Sequence, residues 1–362
     1  MIVADLVRVM ETLAPTHLAA PWDNVGLLVG DPSRSVGRVL LTIDCRRSVV
    51  EEAVRGGYGA IVSYHPPIFE AQKRFVAGSV AYEAARADVA IYSPHTALDA
   101  ADGGTNDVLA DALGMTERAP LQTFDPPDAE YKLVTFVPEG DVEAVSRALF
   151  AAGAGRIGKY TSCSFRSPGT GTFFGEEGTS PAVGESGRLE KAPELRLETV
   201  VPIARVGSVM RALRAAHPYE EPAVDLLRAA AFAPARGFGR VGSIPAATMA
   251  ALIERLKGVL GVAHVLAASD GDREVSRAAV CAGSGGALVG DAIRAGAQVF
   301  VTGELRHHDA LRLVEAGSSA ICVLHTVSER AVLSALRERL GAQLPGVTFD
   351  RSREDREPFV FG

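Results

Sequence analysis

Short apolar runs alternate with amphipathic segments over most of the chain. In the first third, the runs VLLTID, AIVS and VAIY begin at residues 39, 60 and 89, and helical spacing appears at 47–55 and 80–86. In the last third, AAVCAG, AQVFVTG and AICVLH begin at residues 278, 297 and 320, and a helical pattern follows each run. Strands that alternate with helices in this way predict parallel sheets covered by helices. The sequence therefore predicts an α/β fold at both ends of the chain.

The middle of the chain has a different pattern. Strands at 131–138, 195–202 and 223–227, with helices at 142–151 and 205–215, predict a small split-βαβ sandwich inserted into the larger domain. The Pro- and Gly-rich segments 125–128 and 233–240 carry the signals of linkers, and 166–190 is predicted as a long loop. We therefore expect a first lobe at 1–124, an insert at 125–235 and a second lobe at 236–362.

Composition excludes some classes of protein. The 362 residues suit two or three domains, and 47% of them are hydrophobic. A net charge of -7 is unlike that of a protein that neutralises nucleic-acid phosphates, so we expect no nucleic-acid partner. The start of the chain has no apolar run typical of a signal peptide or a membrane helix, so we expect a cytoplasmic protein with no membrane partner. The four scattered cysteines indicate neither a zinc-thiolate site nor a disulfide scaffold.

Potential metal ligands follow the predicted strands, at the rim where an open parallel sheet holds its ligands. His65 follows the second strand and precedes two prolines, whose fixed φ limits the freedom of the loop. Its neighbour Tyr64 is a weak ligand, a proton donor or a packing residue. His95 and Asp99 follow the third strand, and in a helical turn their offset places both side chains on one face. Asp99 is then either a carboxylate that bridges two cations or a turn residue.

A second group of candidates lies near the end of the chain. His325 leaves an apolar strand and Glu329 follows at i+4, the spacing of two ligands on one helix face. His307 and His308 follow another strand and could orient substrate, carry protons or support ligands from behind.

Two further segments allow two interpretations each. The glycine-rich turn at 283–286 either holds an anion such as phosphate with its backbone N–H groups or is purely structural. Trp22 lies either at a pocket rim or in a buried position.

The ordered motifs DNVGLLVG, SYHPPIF, SPHTALDAA, CAGSGG, TGELRHHDA, HTVSE and DREPF resemble those of the Nif-three-like family, also called GTP cyclohydrolase I type 2 homologues. The resemblance implies a two-lobed α/β fold, a dinuclear metal site between the lobes and a homohexameric ring. Carried over to this chain, the family's ligands fall on the set His65, Asp99, His325 and Glu329. Many relatives have two adjacent histidines where this chain has Tyr64 and His65, a departure that bears on the second metal position.

The insert resembles the PII/CutA-like domain of longer bacterial members through GKYTSCSF, GTGTFF and HPYEEPAVD. This resemblance implies an inserted ferredoxin-like α+β domain. Such a domain could gate access to a cavity, bind an effector or form a trimer surface.

These observations lead to a functional hypothesis. Two divalent ions of zinc, iron, manganese or cobalt, held by the four-residue ligand set, would activate water, and His95 or His308 would move protons. The expected protein is a hydrolase of a small molecule, with a nucleotide such as GTP implied by the family name. The alternative is a non-catalytic protein that binds metal or an effector, such as a regulator or metal chaperone. A third hypothesis, an adapter for transcription proteins, draws only on the family's name.

Overall fold

The computed structural model describes residues 1–123, 130–228 and 236–360. The chain divides into two compact units, one formed by Met1–Phe124 and Ala235–Gly362 and the other by Asp125–Pro234. The linker predicted at 125–128 lies outside the described residues. Among the residues that the structure does describe, no helix combines the length and the apolar character needed to cross a membrane.

The first unit contains a five-stranded sheet. Its strands are β1 (Gly26–Val29), β2 (Arg38–Thr42), β3 (Ala60–Ser63), β4 (Ala90–Ser93) and β15 (Thr348–Arg351). They lie in the order β1-β4-β3-β2-β15, and all neighbours are parallel except β1 with β4. Leu40 and Leu41 are both fully buried, yet they belong to different apolar clusters because successive side chains of a strand point to opposite faces. Burial on both faces explains why these strands read as unbroken apolar runs.

The same unit contains a six-stranded sheet. Its strands are β5 (Thr116–Thr123), β10 (Gly237–Thr248), β11 (Leu266–Ala268), β12 (Glu274–Ser284), β13 (Val299–Glu304) and β14 (Ser319–Cys322). They lie in the order β11-β14-β13-β12-β10-β5, with β12, β13 and β14 parallel. The linker predicted over 233–240 is wrong from Gly237 onward, because β10 begins there. A Cβ at that glycine would lie 1.8 Å from the carbonyl oxygen of Gln122, so the glycine permits close strand pairing.

Helices surround both sheets. They are α1 (Val3–Leu13), α2 (Arg47–Gly56), α3 (Val80–Arg86), α4 (His95–Ala100), α5 (Thr105–Ala112), α8 (Met249–Leu260), α9 (Val289–Arg294), α10 (His307–Glu315), α11 (His325–Arg330) and α12 (Val332–Gln343). One buried cation joins the second sheet to the region of α4 and α5. Arg240 on β10 donates to Asp107 at 2.7 Å and to the carbonyl oxygen of Ala101 at 3.2 Å. This pairing satisfies a charge that is only 5% exposed.

The second unit has its own sheet and core. Its elements are β6 (Glu130–Pro138), α6 (Val142–Ala151), β7 (Ser164–Phe174), β8 (Leu189–Pro202), α7 (Val206–Ala216) and β9 (Val224–Arg228). The sheet order is β7-β8-β6-β9 with antiparallel neighbours, and Leu133, Leu149 and Leu213 are fully buried between sheet and helices.

The loop predicted at 166–190 is wrong at both ends, because β7 extends to Phe174 and β8 begins at Leu189. The residues of β7 lack an alternating apolar pattern, and this strand is held by its backbone pairing with β8. The fold class predicted from the sequence is confirmed at the level of a mixed α/β architecture with several sheets.

Candidate metal centre

Three histidines emerge at the carboxyl ends of strands in the first unit. His65 follows β3, His95 begins α4 directly after β4, and His325 begins α11 after β14. The backbone is unusual at two of these turns, with φ of +26° at His95 and +76° at Leu324. Both values lie in a region that side chains other than glycine rarely adopt. Such conformations persist where the surrounding structure enforces them, and they are frequent at functional sites.

Two of these histidines meet one buried carboxylate. His65 Nε2 lies 3.3 Å from Glu329 Oε2, and His325 Nε2 lies 3.2 Å from Glu329 Oε1. The potential ligand atoms of the three residues all lie within 4.8 Å of one another. Glu329 is only 3% exposed, and within the described ranges its Oε2 forms no hydrogen bond of good geometry, its polar neighbour being His65 Nε2. Burial of such an oxygen is costly unless a cation satisfies it.

Acidic residues behind the rings orient both histidines. Asp44 Oδ1 lies 2.8 Å from His65 Nδ1, and Glu304 Oε1 lies 3.1 Å from His325 Nδ1. A carboxylate that accepts the Nδ1 proton leaves Nε2 free as a ligand and fixes the tautomer. Asp44 was not predicted as a site residue, although an acidic residue at the end of the neighbouring strand-like run VLLTID is a signal for such a role.

His95 has the same kind of support. Asp23 Oδ1 lies 2.8 Å from His95 Nδ1, and the other oxygen of this fully enclosed carboxylate accepts from the backbone N–H of Thr96 at 3.1 Å. The ring centroid of His95 lies 5.4 Å from that of His65. A third imidazole oriented by a carboxylate therefore lies beside the group formed by His65, His325 and Glu329.

Asp99 is not part of that group of three residues. The hydroxyl of Tyr64 donates a hydrogen bond to Asp99 Oδ1. Burial raises the pKa of Asp99 to about 6. Burial, together with the charges of Asp99 and Glu329, raises the pKa of Tyr64 well above its usual value. The Tyr64 phenol therefore stays protonated, and it is hydrogen-bonded to Asp99, the carboxylate predicted to bind a second ion.

The carboxylate of Glu329 draws protons onto its two histidines. Burial lowers the pKa of His65, but the interactions with Asp44 and Glu329 outweigh it and raise the value to about 10. The hydrogen bond to Glu329 raises the pKa of His325 to about 9. The same two rings lower the pKa of Glu329 against the opposing effect of burial. A cation that binds these three side chains must therefore displace protons from the imidazoles.

The geometry fits a divalent metal ion. Two donors bound at about 2.0–2.1 Å in a tetrahedral arrangement lie about 3.3 Å apart, which is close to the separations between Glu329 and the two rings. A Cβ at Gly283 would lie 2.7 Å from Glu329 Oε1 and 3.3 Å from His325 Nε2, so a glycine keeps this side of the group open. Mixed imidazole and carboxylate donors suit zinc, iron, manganese or cobalt.

The other predicted residues lie at exposed positions. His307 and His308 are exposed at the start of α10, with ring centroids 5.3 Å apart. Trp22 is 62% exposed, and its ring lies 6.1 Å from that of His95 and 5.9 Å from that of Phe69. Of the two interpretations of Trp22, the structure therefore favours the rim.

The glycine-rich turn has less capacity for an anion than its sequence indicates. The N–H of Gly283 donates to Ser328 Oγ at 2.8 Å, and that of Gly285 donates to the carbonyl oxygen of Glu304 at 3.3 Å. These two amides are therefore already engaged.

Comparison with known proteins assigns the chain to a family. Residues 1–358 match the family described as Duf34/NIF3 (NGG1p interacting factor 3). The chain belongs to the DUF34/NIF3 family. This membership confirms the resemblance predicted from the motifs.

Curated relatives of this DUF34/NIF3 protein carry the name GTP cyclohydrolase 1 type 2 homolog. The Bacillus subtilis relative is 35% identical over 99% of this chain and 98% of its own length. The relative from Halalkalibacterium halodurans is 34% identical over 98% of each chain. A solved Bacillus cereus protein related to NIF3 is 33% identical, has a TM-score of 0.68 and covers 100% of this chain and 99% of its own.

Proposed function

We propose that this DUF34/NIF3 protein is a divalent-metal-dependent hydrolase that acts on a small phosphorylated molecule. The observation that carries the proposal is the group of His65, His325 and Glu329, in which both Nε2 atoms face one buried carboxylate. A divalent ion held there would act as a Lewis acid and lower the pKa of a bound water toward ~7. A divalent ion there would also satisfy the buried Oε2 of Glu329, whose polar contact in the described part of the chain is His65 Nε2 at 3.3 Å.

His95 is the proposed proton acceptor. Its Nδ1 is held by Asp23, so Nε2 is the nitrogen left to accept a proton from the attacking water. The resulting imidazolium would be stabilised by the same aspartate. Burial acts to raise the pKa of Asp23, but its hydrogen bonds to His95 and Thr96 outweigh this effect and lower the pKa, so the carboxylate is ionised. The proton-transfer role predicted for His308 stays a prediction.

The second metal position is proposed to be the weaker one. It would use Asp99, whose Oδ1 accepts from Tyr64, so an ion there competes with the phenol for this carboxylate. The position at His65, His325 and Glu329 gathers three donor side chains, whereas Asp99 lies outside that group. We therefore propose stepwise filling, in which the first ion binds to this group and the second binds at Asp99.

A nucleotide is the first substrate class to test, because the curated relatives are named as GTP cyclohydrolase 1 type 2 homologs. The experiment combines elemental analysis of the purified protein with turnover of GTP, other nucleotides and simple phosphate esters. Wild type should hold metal and turn over one of these classes. Glu329→Gln should lose both properties, whereas Glu338→Gln, a matched change at an exposed position, should retain both.

Two results would contradict the proposal. Fully metal-loaded wild type without turnover of any phosphorylated substrate would refute a hydrolase. A Glu329→Gln protein with unchanged metal content would refute the metal site itself.

A regulatory role is the second candidate, and a cavity in the second unit favours it. This cavity has a volume of about 640 Å³, and Phe136, Arg196 and Tyr219 contribute to its lining. The Tyr219 hydroxyl donates to Glu194 at 2.6 Å, which leaves an apolar pocket with oriented polar groups. Kinship of this unit with PII/CutA-like domains remains part of the proposal.

Calorimetric titration of nucleotides against wild type and Arg196→Ala separates the two candidates. Loss of nucleotide binding in this variant, with metal content unchanged, would favour regulation. Unchanged nucleotide binding would place the nucleotide elsewhere in the protein. The homohexameric ring stays a prediction, and light scattering in solution would test it.

A further inference from the structure

A second cavity opens beside the candidate metal centre. It has a volume of about 370 Å³, and its wall includes His65, Pro67, Arg46 and Arg356. Arg46 directly precedes α2, and Arg356 belongs to the C-terminal segment after β15. One metal-site histidine and two arginines from distant parts of the sequence therefore line the same space.

The charges in this cavity favour an anion. Within the part of the chain that the structure describes, neither Arg46 nor Arg356 forms an ion pair. Arg46 Nη2 donates to the carbonyl oxygen of Glu354 at 2.6 Å, which orients the side chain and leaves its other N–H groups available. The one carboxylate in the wall, Asp44, is engaged by His65 Nδ1 at 2.8 Å.

The start of α2 adds to this positive potential. The helix has no acidic residue in its first turn, and no side chain caps its first N–H groups. The positive end of the helix dipole therefore lies beside Arg46 without a carboxylate from its own first turn. Helix N-termini of this kind favour phosphate groups.

We propose that the cavity at Arg46 and Arg356 binds the phosphate monoester group of the substrate. The inference rests on the proposed function and names the group that anchors the substrate next to His65. Guanidinium groups suit this task because their planar N–H donors match phosphate oxygens in pairs. The cavity also offers what the glycine-rich turn does not, since two amides of that turn are engaged.

The test measures binding of inorganic phosphate to the full-length protein, both metal-loaded and after treatment with a chelator. Nucleoside 5′-monophosphate and acetate serve as further probes. The variant is Arg46→Gln/Arg356→Gln, and the matched control is Arg55→Gln/Arg353→Gln, which removes two exposed arginines from the same two segments outside the cavity wall. The chelated protein separates binding in the cavity from direct binding to the metal.

We expect phosphate and the monophosphate to bind chelated wild type and the control, more weakly as salt rises. The double variant should bind them roughly a hundredfold more weakly, about tenfold for each arginine. Acetate should bind far more weakly than phosphate to chelated wild type and to the control. Unchanged phosphate affinity in the double variant, or an equal loss in the control, would overturn the inference. Metal content of wild type is measured separately, so failure of the metal site is distinguishable from failure of the anion cavity.

Discussion

Metal binding at His65, His325 and Glu329 should depend steeply on pH. Metal affinity is measured as the pH is raised from about 6.5, the pKa of an unperturbed histidine, to alkaline values. At neutral pH both rings hold an extra proton, because the pKa is about 10 for His65 and about 9 for His325. Glu329 is already ionised, because its pKa is lowered. An ion that binds all three side chains must therefore release two protons.

The magnitude follows from this proton count. Each proton released raises the apparent metal affinity about tenfold per pH unit, so below the pKa of His325 the affinity should rise about a hundredfold per unit. Between the two pKa values the slope should fall to about tenfold, and above both it should vanish. The stability of the chelated protein changes in the opposite direction. Raised histidine pKa values stabilise the fold fully below about 6.5, and this stabilisation is lost as pH rises through the folded-state values.

Calorimetry in buffers of different ionisation enthalpy counts the protons directly. Wild type should release close to two protons per ion at neutral pH. Glu304→Gln removes one of the groups that raise the pKa of His325, so the affinity of this variant should stop rising a hundredfold per pH unit at a lower pH than in wild type. Release of less than one proton per ion by wild type, with stoichiometric binding, would refute the arrangement of two protonated rings around one carboxylate.

Three further predictions concern single positions. Gly283→Ala should weaken metal binding roughly tenfold or more, because the new Cβ would lie 2.7 Å from Glu329 Oε1 and the residue has a φ of +67°. Competition with a chelator measures the affinity, and an unchanged value would contradict this prediction. Arg240→Ala should lower the free energy of unfolding by about 3–5 kcal/mol, measured with urea; a loss near zero would mean that this buried cation is dispensable. Trp22 is the only tryptophan, so Co²⁺ binding should quench the protein's fluorescence through its position beside His95; full Co²⁺ occupancy without quenching would contradict that placement.

Much of the fold was readable from local patterns. The strand predicted at 60–63 and the helix predicted at 142–151 match β3 and α6, because both patterns report burial of neighbouring residues. The strand β7 was missed because it is an edge strand whose Gly, Ser and Thr residues carry little apolar signal. Its conformation depends on pairing with β8, whose residues lie farther along the chain.

The candidate site shows the same division. The chemical types and their local spacing were already present in the amino-acid sequence: a histidine after β3, and His325 four residues before Glu329 on one helix face. Local spacing predicts that His325 and Glu329 share a face, because a helical turn involves only residues that are close in sequence.

Which of these groups meet depends on the folded arrangement of distant segments. It brought Asp44 to His65 and Asp23 to His95 across separations of 21 and 72 residues, and it joined Tyr64 to Asp99. Sheet order and loop geometry set these contacts, and both arise from the packing of the whole unit. The sequence pattern alone does not give the spatial distance between residues that are far apart along the chain.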